Sequence, residues 1–426
     1  MWNRGLNFSA AKYKILGNNT FQPHVRSSNQ ISIPRIILER FSLMGNDVAL
    51  VEIEDAAKRT VVKRIKKLSK SGKSKIISFK AEKSIANPIV RVLNILSEEN
   101  ALSRTSTEHD SIRHFTPKYT NKGEGGTPIY VFDSGESVII GGYYKKDIEA
   151  KTKIAFNDAD LSAIGLYMAE GGKTAASFTN SWPAAINPIL DFFENNFGMK
   201  RNDVRASICC NHIQKEKKRE LESFWECKTG IKHFARSLHF NKNVRSPQGI
   251  LELYFCSEVL KEIMLSIMDF VSSHEINKMP LIRGILSGDG HPMQENKFVL
   301  NHHITFDQKS KILLDRVFSG FNSREIRTQP RKIISTTWED NKRLLFLDPY
   351  RFNLRNRVRF AHRFLLLPRT LRTQDDELAG FKEKEYPKLL GSLLNHFVEL
   401  NEFGLTDKKK IEEAENEYLL HRSAHS

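Results

Sequence analysis

Ala163-Ile-Gly-Leu-Tyr-Met-Ala-Glu-Gly171 and Ile282-Arg-Gly-Ile-Leu-Ser-Gly-Asp-Gly290 share one grammar and form an internal repeat. In each, a glycine stands five residues before an acid, Ala169 or Gly288 directly precedes the acid, and a glycine follows it. The acids, Glu170 and Asp289, are 119 positions apart (289 − 170). Asn157 and Asp158 can cap the first segment as a helix, and Pro280 suits the first turn of the second. Gly171 and Gly290 can close the helices in the left-handed conformation. Each acid then falls at a helix C-terminus, where the macrodipole disfavours a carboxylate by roughly 0.3–1 kcal/mol. A local rule broken twice in the same way points to function, because a bound cation offsets the cost. Gly165 and Gly284 fall mid-helix, where glycine costs about 1 kcal/mol relative to alanine. Small residues there let two helix backbones approach, so the helices are expected side by side with both acids at one end, as a divalent-cation site.

The flanking segments repeat as well. After the first motif the patterns predict a strand over 177–181, a helix over 184–197, strands over 203–210 and 250–256, and a helix over 257–271. After the second they predict a strand over 298–306, a helix over 310–321, and strands over 326–336 and 342–347. Between 324 and 372 there are thirteen Lys or Arg against four acids. Through this stretch basic residues alternate with apolar and aromatic ones, as in 343–347 and 352–360, which predicts strands that present Arg327, Arg331, Arg343, Arg355 and Arg357 to a nucleic acid from one sheet face. The tail, 375–426, reads as acidic and helical.

Upstream, residues 58–83 hold eleven Lys or Arg and one acid. Val61, Val62, Ile65 and Leu68 recur at helical spacing, so 55–71 is expected to be an amphipathic helix with Lys63, Arg64, Lys66 and Lys67 outward. A helix over 33–44, a strand over 75–79 and a third helix over 88–98 complete the order of a winged helix-turn-helix. The polar stretch 103–126 reads as a linker, followed by strands over 128–132 and 137–142. The expected divisions are 1–102 (helical, helix-turn-helix-like), 103–153 (linker and short strands), 154–275, 276–372, and a helical tail 373–426.

The 426 residues, 40% of them hydrophobic, are enough for a sizeable core. A net charge of +16 and a pI near 9.5 suit a polyanionic partner. Cys209, Cys210, Cys227 and Cys256 offer neither a disulfide framework nor a C-x-x-C metal pair. No run of some eighteen apolar residues spans a membrane, and the start lacks an apolar signal core, so an intracellular, cytoplasmic protein is expected, with an organelle left open.

The paired motifs and their flanks, over 154–372, resemble the double-motif form of the LAGLIDADG homing endonucleases. The resemblance implies an α/β (α+β) fold of two pseudo-symmetric half-domains, each with a motif helix and a DNA-facing antiparallel sheet. It implies a monomer that cleaves both strands of a specific DNA site in intron homing. Glu170 and Asp289 become the catalytic acids that hold Mg²⁺ or Mn²⁺, and Gly165, Gly171, Gly284 and Gly290 become the helix-packing and helix-ending glycines. Lys173, Lys242, Lys332 and Lys342 are the candidates for polarising the scissile phosphates. The first motif departs from the commonest form by its Glu and by Tyr167-Met168 ahead of Ala169. The chain's ends, Met1-Trp-Asn and Ala424-His-Ser426, lack the residues of protein splicing, so a free-standing or intron-encoded protein is expected. Two alternatives share the family: a non-enzymatic DNA-binding transcriptional regulator, and a maturase that binds intron RNA.

Overall fold

The computed structural model describes the chain from 154 to 406 apart from breaks at 173–174, 256, 275, 295–299, 306–313, 327–330 and 367–374. Before 154 it describes the strands named below with residues 16, 33–34 and 37, and beyond 406 only 409, 411–412 and 415–416. Unit 1 comprises Met1–Thr107, Thr116–Thr152 and Ser257–Ile263, and unit 2 comprises Glu108–Phe115, Lys153–Cys256 and Met264–Ser426. The fold is mixed α/β with small, mainly antiparallel sheets.

Among its described residues unit 1 is chiefly strands. They are β1 (Tyr13–Ile15), β2 (Thr20–Pro23), β3 (Gln30–Ser32), β4 (Asp47–Asp55), β5 (Thr60–Lys67), β6 (Ser69–Ser71), β7 (Ser74–Ser78) and β8 (Pro88–Ser97). Five of these form a sheet in the order β1-β2-β8-β4-β5, and β3-β7-β6 form another. In the five-stranded sheet Val51 pairs with Val92 and Ile53 with Val90, all buried, while Glu52 faces Arg91 between them and accepts its hydrogen bond at 3.3 Å. Alternation of this kind, period two, fixes which face is core.

The helices expected over 55–71 and 88–98 are therefore strands where they are described, and the described residues of 47–97 do not show the winged helix-turn-helix order. Val61, Val62 and Ile65 are β-branched, lose rotamer freedom in a helix, and fit a pleated surface. Their spacing satisfied both periods, and pairing with β4 decided between them. Lys63, Arg64, Lys66 and Lys67 lie on β5, opposite Glu52, Val51, Ala49 and Val48. The strand expected over 75–79 is β7, and the helix expected over 33–44 lies largely outside the described residues. The expected strands over 128–132 and 137–142 are matched by the three-stranded sheet of β10 (Ile129–Asp133), β11 (Ser137–Gly142) and β12 (Ile148–Lys151).

Unit 2 opens with β9 (His114–Phe115) paired to β13 (Ile154–Ala155). Helix α1 (Asp158–Glu170) follows, started by a reciprocal capping box between Asn157 and Asp160. Then come β14 (Ser177–Asn180), α2 (Pro183–Phe197), β15 (Arg205–Cys210), α3 (Lys218–Thr229), β16 (His239–Phe240), β17 (Ile250–Tyr254) and α4 (Glu258–Ser273), of which Met264 onward belongs to unit 2. Helix α5 (Met279–Gly288) begins the second series, with β18 (Gly290–Gln294), β19 (Leu300–Thr305), β20 (Asn322–Ile326) and β21 (Arg331–Thr336). The sheets are β14-β17-β15-β16 and β18-β19-β21-β20. A bridge from Gly171 to Phe178 places the residue after α1 at the β14 edge of the first sheet, as β18 directly follows α5 at the edge of the second. Counted from that edge segment, the second sheet reads first, second, fourth, third, and the first sheet reads first, second, fifth, third, fourth, because β16 adds a parallel strand beside β15.

The strands expected over 342–347 and 352–360 are helices, α6 (Trp338–Leu347) and α7 (Leu354–Leu365). Local caps decide this: Thr337 and Asp340 form a capping box, and Asn353 accepts from the Asn356 amide. The basic residues of 343–360 consequently spread around helices instead of lining one sheet face. Helix α3 was not anticipated, although Leu221, Phe224 and Trp225 recur at helical spacing and are buried. The tail is helical as expected, α8 (Asp376–Gly380) running through a π turn into α9 (Tyr386–Glu402). No described helix is long and apolar enough to cross a membrane.

Candidate functional site

Helix α1 is buried from Leu161 to Met168, which requires neighbours on more than one side. It packs against α2 and, most extensively, against α5. The α1–α5 contact is backbone against backbone. A methyl group on Gly165 would fall 2.2 Å from the Leu281 carbonyl oxygen, and one on Gly284 would fall 2.0 Å from that of Ser162 and 2.4 Å from the Leu166 nitrogen. Any side chain at either position drives the helices apart, so the two mid-helix glycines are explained by packing.

At the far end of the pair, a methyl on Gly288 would meet Ala169 Cβ at 2.7 Å and Glu170 Cγ at 2.9 Å. Glu170 therefore lies against the residue that precedes Asp289. Burial, and then the charge of Asp289, push the Glu170 carboxyl up to about 8. Glu170 ends α1 and Asp289 caps α5, its amide donating to the Ile285 carbonyl at 3.1 Å. The helix ends themselves add negative potential.

Gly171 and Gly290 do not close their helices as expected. Gly171 is extended at φ −71°, and the described left-handed glycines are Gly198, Gly230, Gly249 and Gly404. Their role is steric. A methyl on Gly171 would meet the Tyr167 carbonyl oxygen at 2.3 Å, and one on Gly290 the Leu286 carbonyl oxygen at 2.3 Å. The chain turns directly from helix into sheet at both places.

Residues missed in the sequence surround the segment after Asp289. Ser287, buried, donates to the Pro349 carbonyl at 2.8 Å, and Asn356 of α7 donates to that of Gly290 at 2.8 Å. Arg359 stands 3.1 Å from His291 Nδ1, and Arg363 donates to the Pro292 carbonyl. His291 pairs with His303 across β18 and β19. Burial first, and then Arg359, Arg363 and His303, hold the His291 imidazole below its ordinary value. The signal for this cluster was Arg359 and Arg363 at helical spacing after Asn353, hidden by reading those residues as strand.

The nominated lysines do not converge. Lys173 is outside the described residues, and Lys242 is exposed in a turn. Lys332 lies on β21 opposite Ile304 and Glu325. Lys342 is tied to Asp375 at 2.6 Å and Glu377 at 3.0 Å, which hold its ammonium above its usual range. It fastens the start of the tail to α6. Of the nominated arginines, Arg343 and Arg355 are exposed on α6 and α7, and Arg357 pairs with Asp348 at 2.6 Å. Arg331 lies on β21, and Arg327 is outside the described residues.

A groove of about 790 Å³ runs past β15, lined by Arg205, Ser207, Arg236, His239 and Tyr254. Beside it Glu252 accepts from Ser207 at 2.6 Å and from Tyr254 at 3.1 Å and stands 3.1 Å from His239.

The acid pair fits a hard divalent cation by its chemistry. Two oxygen donors lie together at helix C-termini, and one is forced toward its neutral form by burial and by the other's charge. Among the described residues no third His, Cys, Asp or Glu joins them, so the pair would bind by itself with water completing the shell. No family model and no curated protein matches the chain.

Proposed function

We propose that the chain is a metal-dependent DNA endonuclease of the LAGLIDADG type, built from two pseudo-symmetric halves and acting as a monomer on a specific double-stranded site. One observation carries the reading: α1 and α5 meet backbone to backbone through Gly165 and Gly284, and that contact sets Glu170 beside Asp289. Apart from the parallel strand β16, the first sheet of unit 2 has the strand order of the second, which agrees with two halves around this helix pair. The +16 charge agrees with a polyanionic substrate.

In this reading Glu170 and Asp289 hold Mg²⁺ or Mn²⁺ between the halves. When bound, such an ion lowers the pKa of water and offsets negative charge developing on the phosphate. The chain's own part is positional. The glycine contacts fix the carboxylates relative to each other, while Ser287 and Asn356 hold the segments on either side of Asp289. Arg359 and Arg363 put positive charge next to the same strand, where phosphate oxygens would be held. The regulator alternative loses the helix-turn-helix that favoured it, because β5 and β8 occupy those residues.

A selection from a randomised duplex library, with and without Mg²⁺, tests this directly. Wild type should cut a site only with the metal. Glu170→Gln and Asp289→Asn preserve size but remove the charge, so each should reduce cleavage at least a hundredfold and leave binding within about threefold. Equal binding by all three proteins without cutting in Mg²⁺ or Mn²⁺ replaces the nuclease with a binding protein, and preference for intron RNA over the duplex identifies a maturase.

A further inference from the structure

A cavity of about 200 Å³ lies away from the acid pair, between the turn that enters α2, the 243–248 loop, and the faces of α7 and α9. Gln248 lines it and is 2% exposed. Its Nε2 donates to the Ser181 carbonyl at 2.7 Å, which fixes the amide's orientation, and its Oε1 is buried without a hydrogen-bond partner. A buried acceptor left unpaired is costly, and folded proteins keep few of them.

The loop is also held rigidly. Trp225 donates to the Gln248 carbonyl at 2.8 Å, Asn211 to that of Val244 at 3.2 Å, and Gln214 to those of Ser246 and Pro247. Gly249 closes it at φ 68°, where a methyl would fall 2.8 Å from the Cys209 carbonyl oxygen. Other side chains thus fix the loop's backbone, and none of them satisfies Gln248 Oε1.

The remaining walls have a matching chemistry. Trp182 and His396 present rings with centroids 4.7 Å apart. Burial, with Lys228 and Arg355 next, pushes the His396 imidazole down to about 4, so it is a neutral π surface at pH 7. Arg245 and Arg355 also line the cavity, both on exposed positions. One hydrogen-bond acceptor, an aromatic wall and two cations call for a planar group with an N–H edge and a negative charge. At about 200 Å³ the cavity is below the roughly 300–1,000 Å³ of sites for larger organic ligands, so it admits one ring system.

We propose that this cavity binds a single nucleotide, with a base N–H on Gln248 Oε1, the base against Trp182 and His396, and the phosphate toward Arg245 and Arg355. The nucleotide comes either free or unstacked from a bound polynucleotide, since both present the same edge, face and charge. The site uses neither Glu170 nor Asp289, so it stands whether or not the chain cleaves DNA.

Calorimetry with adenosine 5′-monophosphate, adenosine and inorganic phosphate tests the first source. Photocrosslinking of a single strand carrying 5-iodouracil, read as the modified peptide, tests the second. Binding of the monophosphate at one site per chain is expected, weakened about tenfold by Trp182→Leu and about fivefold by Arg245→Gln, an exposed change that leaves the loop's hydrogen bonds in place. A crosslink on the peptide containing Trp182, lost in Arg245→Gln, supports the polynucleotide source even if the monophosphate alone does not bind. The proposal is overturned if neither probe engages this cavity, or if inorganic phosphate displaces the monophosphate completely while adenosine shows no binding, which would mark a surface anion site only.

Discussion

Glu170 and His302 are both ionisable groups taken out of water, and the structure treats them in opposite ways. Glu170 meets another acid, so its burial creates a demand for positive charge. His302 meets neutral partners and is settled without one. It is buried on β19, where Nδ1 accepts from the Tyr350 hydroxyl at 2.7 Å and Nε2 donates to Asn341 Oδ1 at 3.2 Å, which defines a neutral tautomer. Burial pushes its imidazole down to about 4, against a smaller opposite pull from Asn341. The unfolded chain therefore binds a proton between about pH 6.5 and 4 that the folded chain refuses. Stability from this residue is complete above the unfolded pKa and is lost as pH falls through that window, by up to about 3 kcal/mol. Urea unfolding of unit 2 at pH 7, 5.5 and 4.5 should show the loss, and His302→Gln, less stable at pH 7, should flatten it. Parallel pH profiles for the two proteins would assign the acid sensitivity to other groups.

At the scale of elements, glycine has two distinct uses that one substitution separates. In α5, Gly284 sits where a methyl would overlap the Ser162 carbonyl and the Leu166 nitrogen of α1, whereas Gly391 in α9 has open space around it. Gly284→Ala should destabilise by about 1–3 kcal/mol or more through overpacking, while Gly391→Ala should stabilise by up to about 1 kcal/mol through helix propensity. Thermal melts of the two variants are expected to move in opposite directions, and a neutral Gly284→Ala would deny the close helix contact. The same contrast explains what the sequence revealed. Motif helices, β14, α2, β15 and β17 were legible because apolar period, caps and glycines agreed. The segments 55–71, 88–98 and 342–360 were not, because Val61-Val62 and the alternating arginines fit two periods. Pairing with β4 settled the first two, and caps at Thr337 and Asn353 the last. Among the site residues, the acids and packing glycines could be read from spacing. The lysines could not, because spacing says nothing of a partner such as Asp375.

For the molecule as a whole, +16 counts charge without saying which charges face a polyanion. Adjacent Lys342 and Arg343 on α6 show the difference. Lys342 is held by Asp375 and Glu377, so its charge is already matched within the fold, whereas Arg343 is exposed. If the chain binds duplex DNA, counterion release makes log K fall linearly with log salt, at about −0.9 for each phosphate contacted. Arg343→Gln should weaken binding uniformly across sequences and make that slope shallower by about one unit. Lys342→Gln should leave the slope unchanged and instead loosen the tail, seen as faster proteolysis near Asp375. Measuring affinity from 50 to 200 mM salt for wild type and both variants decides the matter. Equal slope changes for the two would show that Lys342 leaves its carboxylates to meet phosphate. A salt-independent wild type would mean that the positive field of the chain serves something other than a nucleic acid.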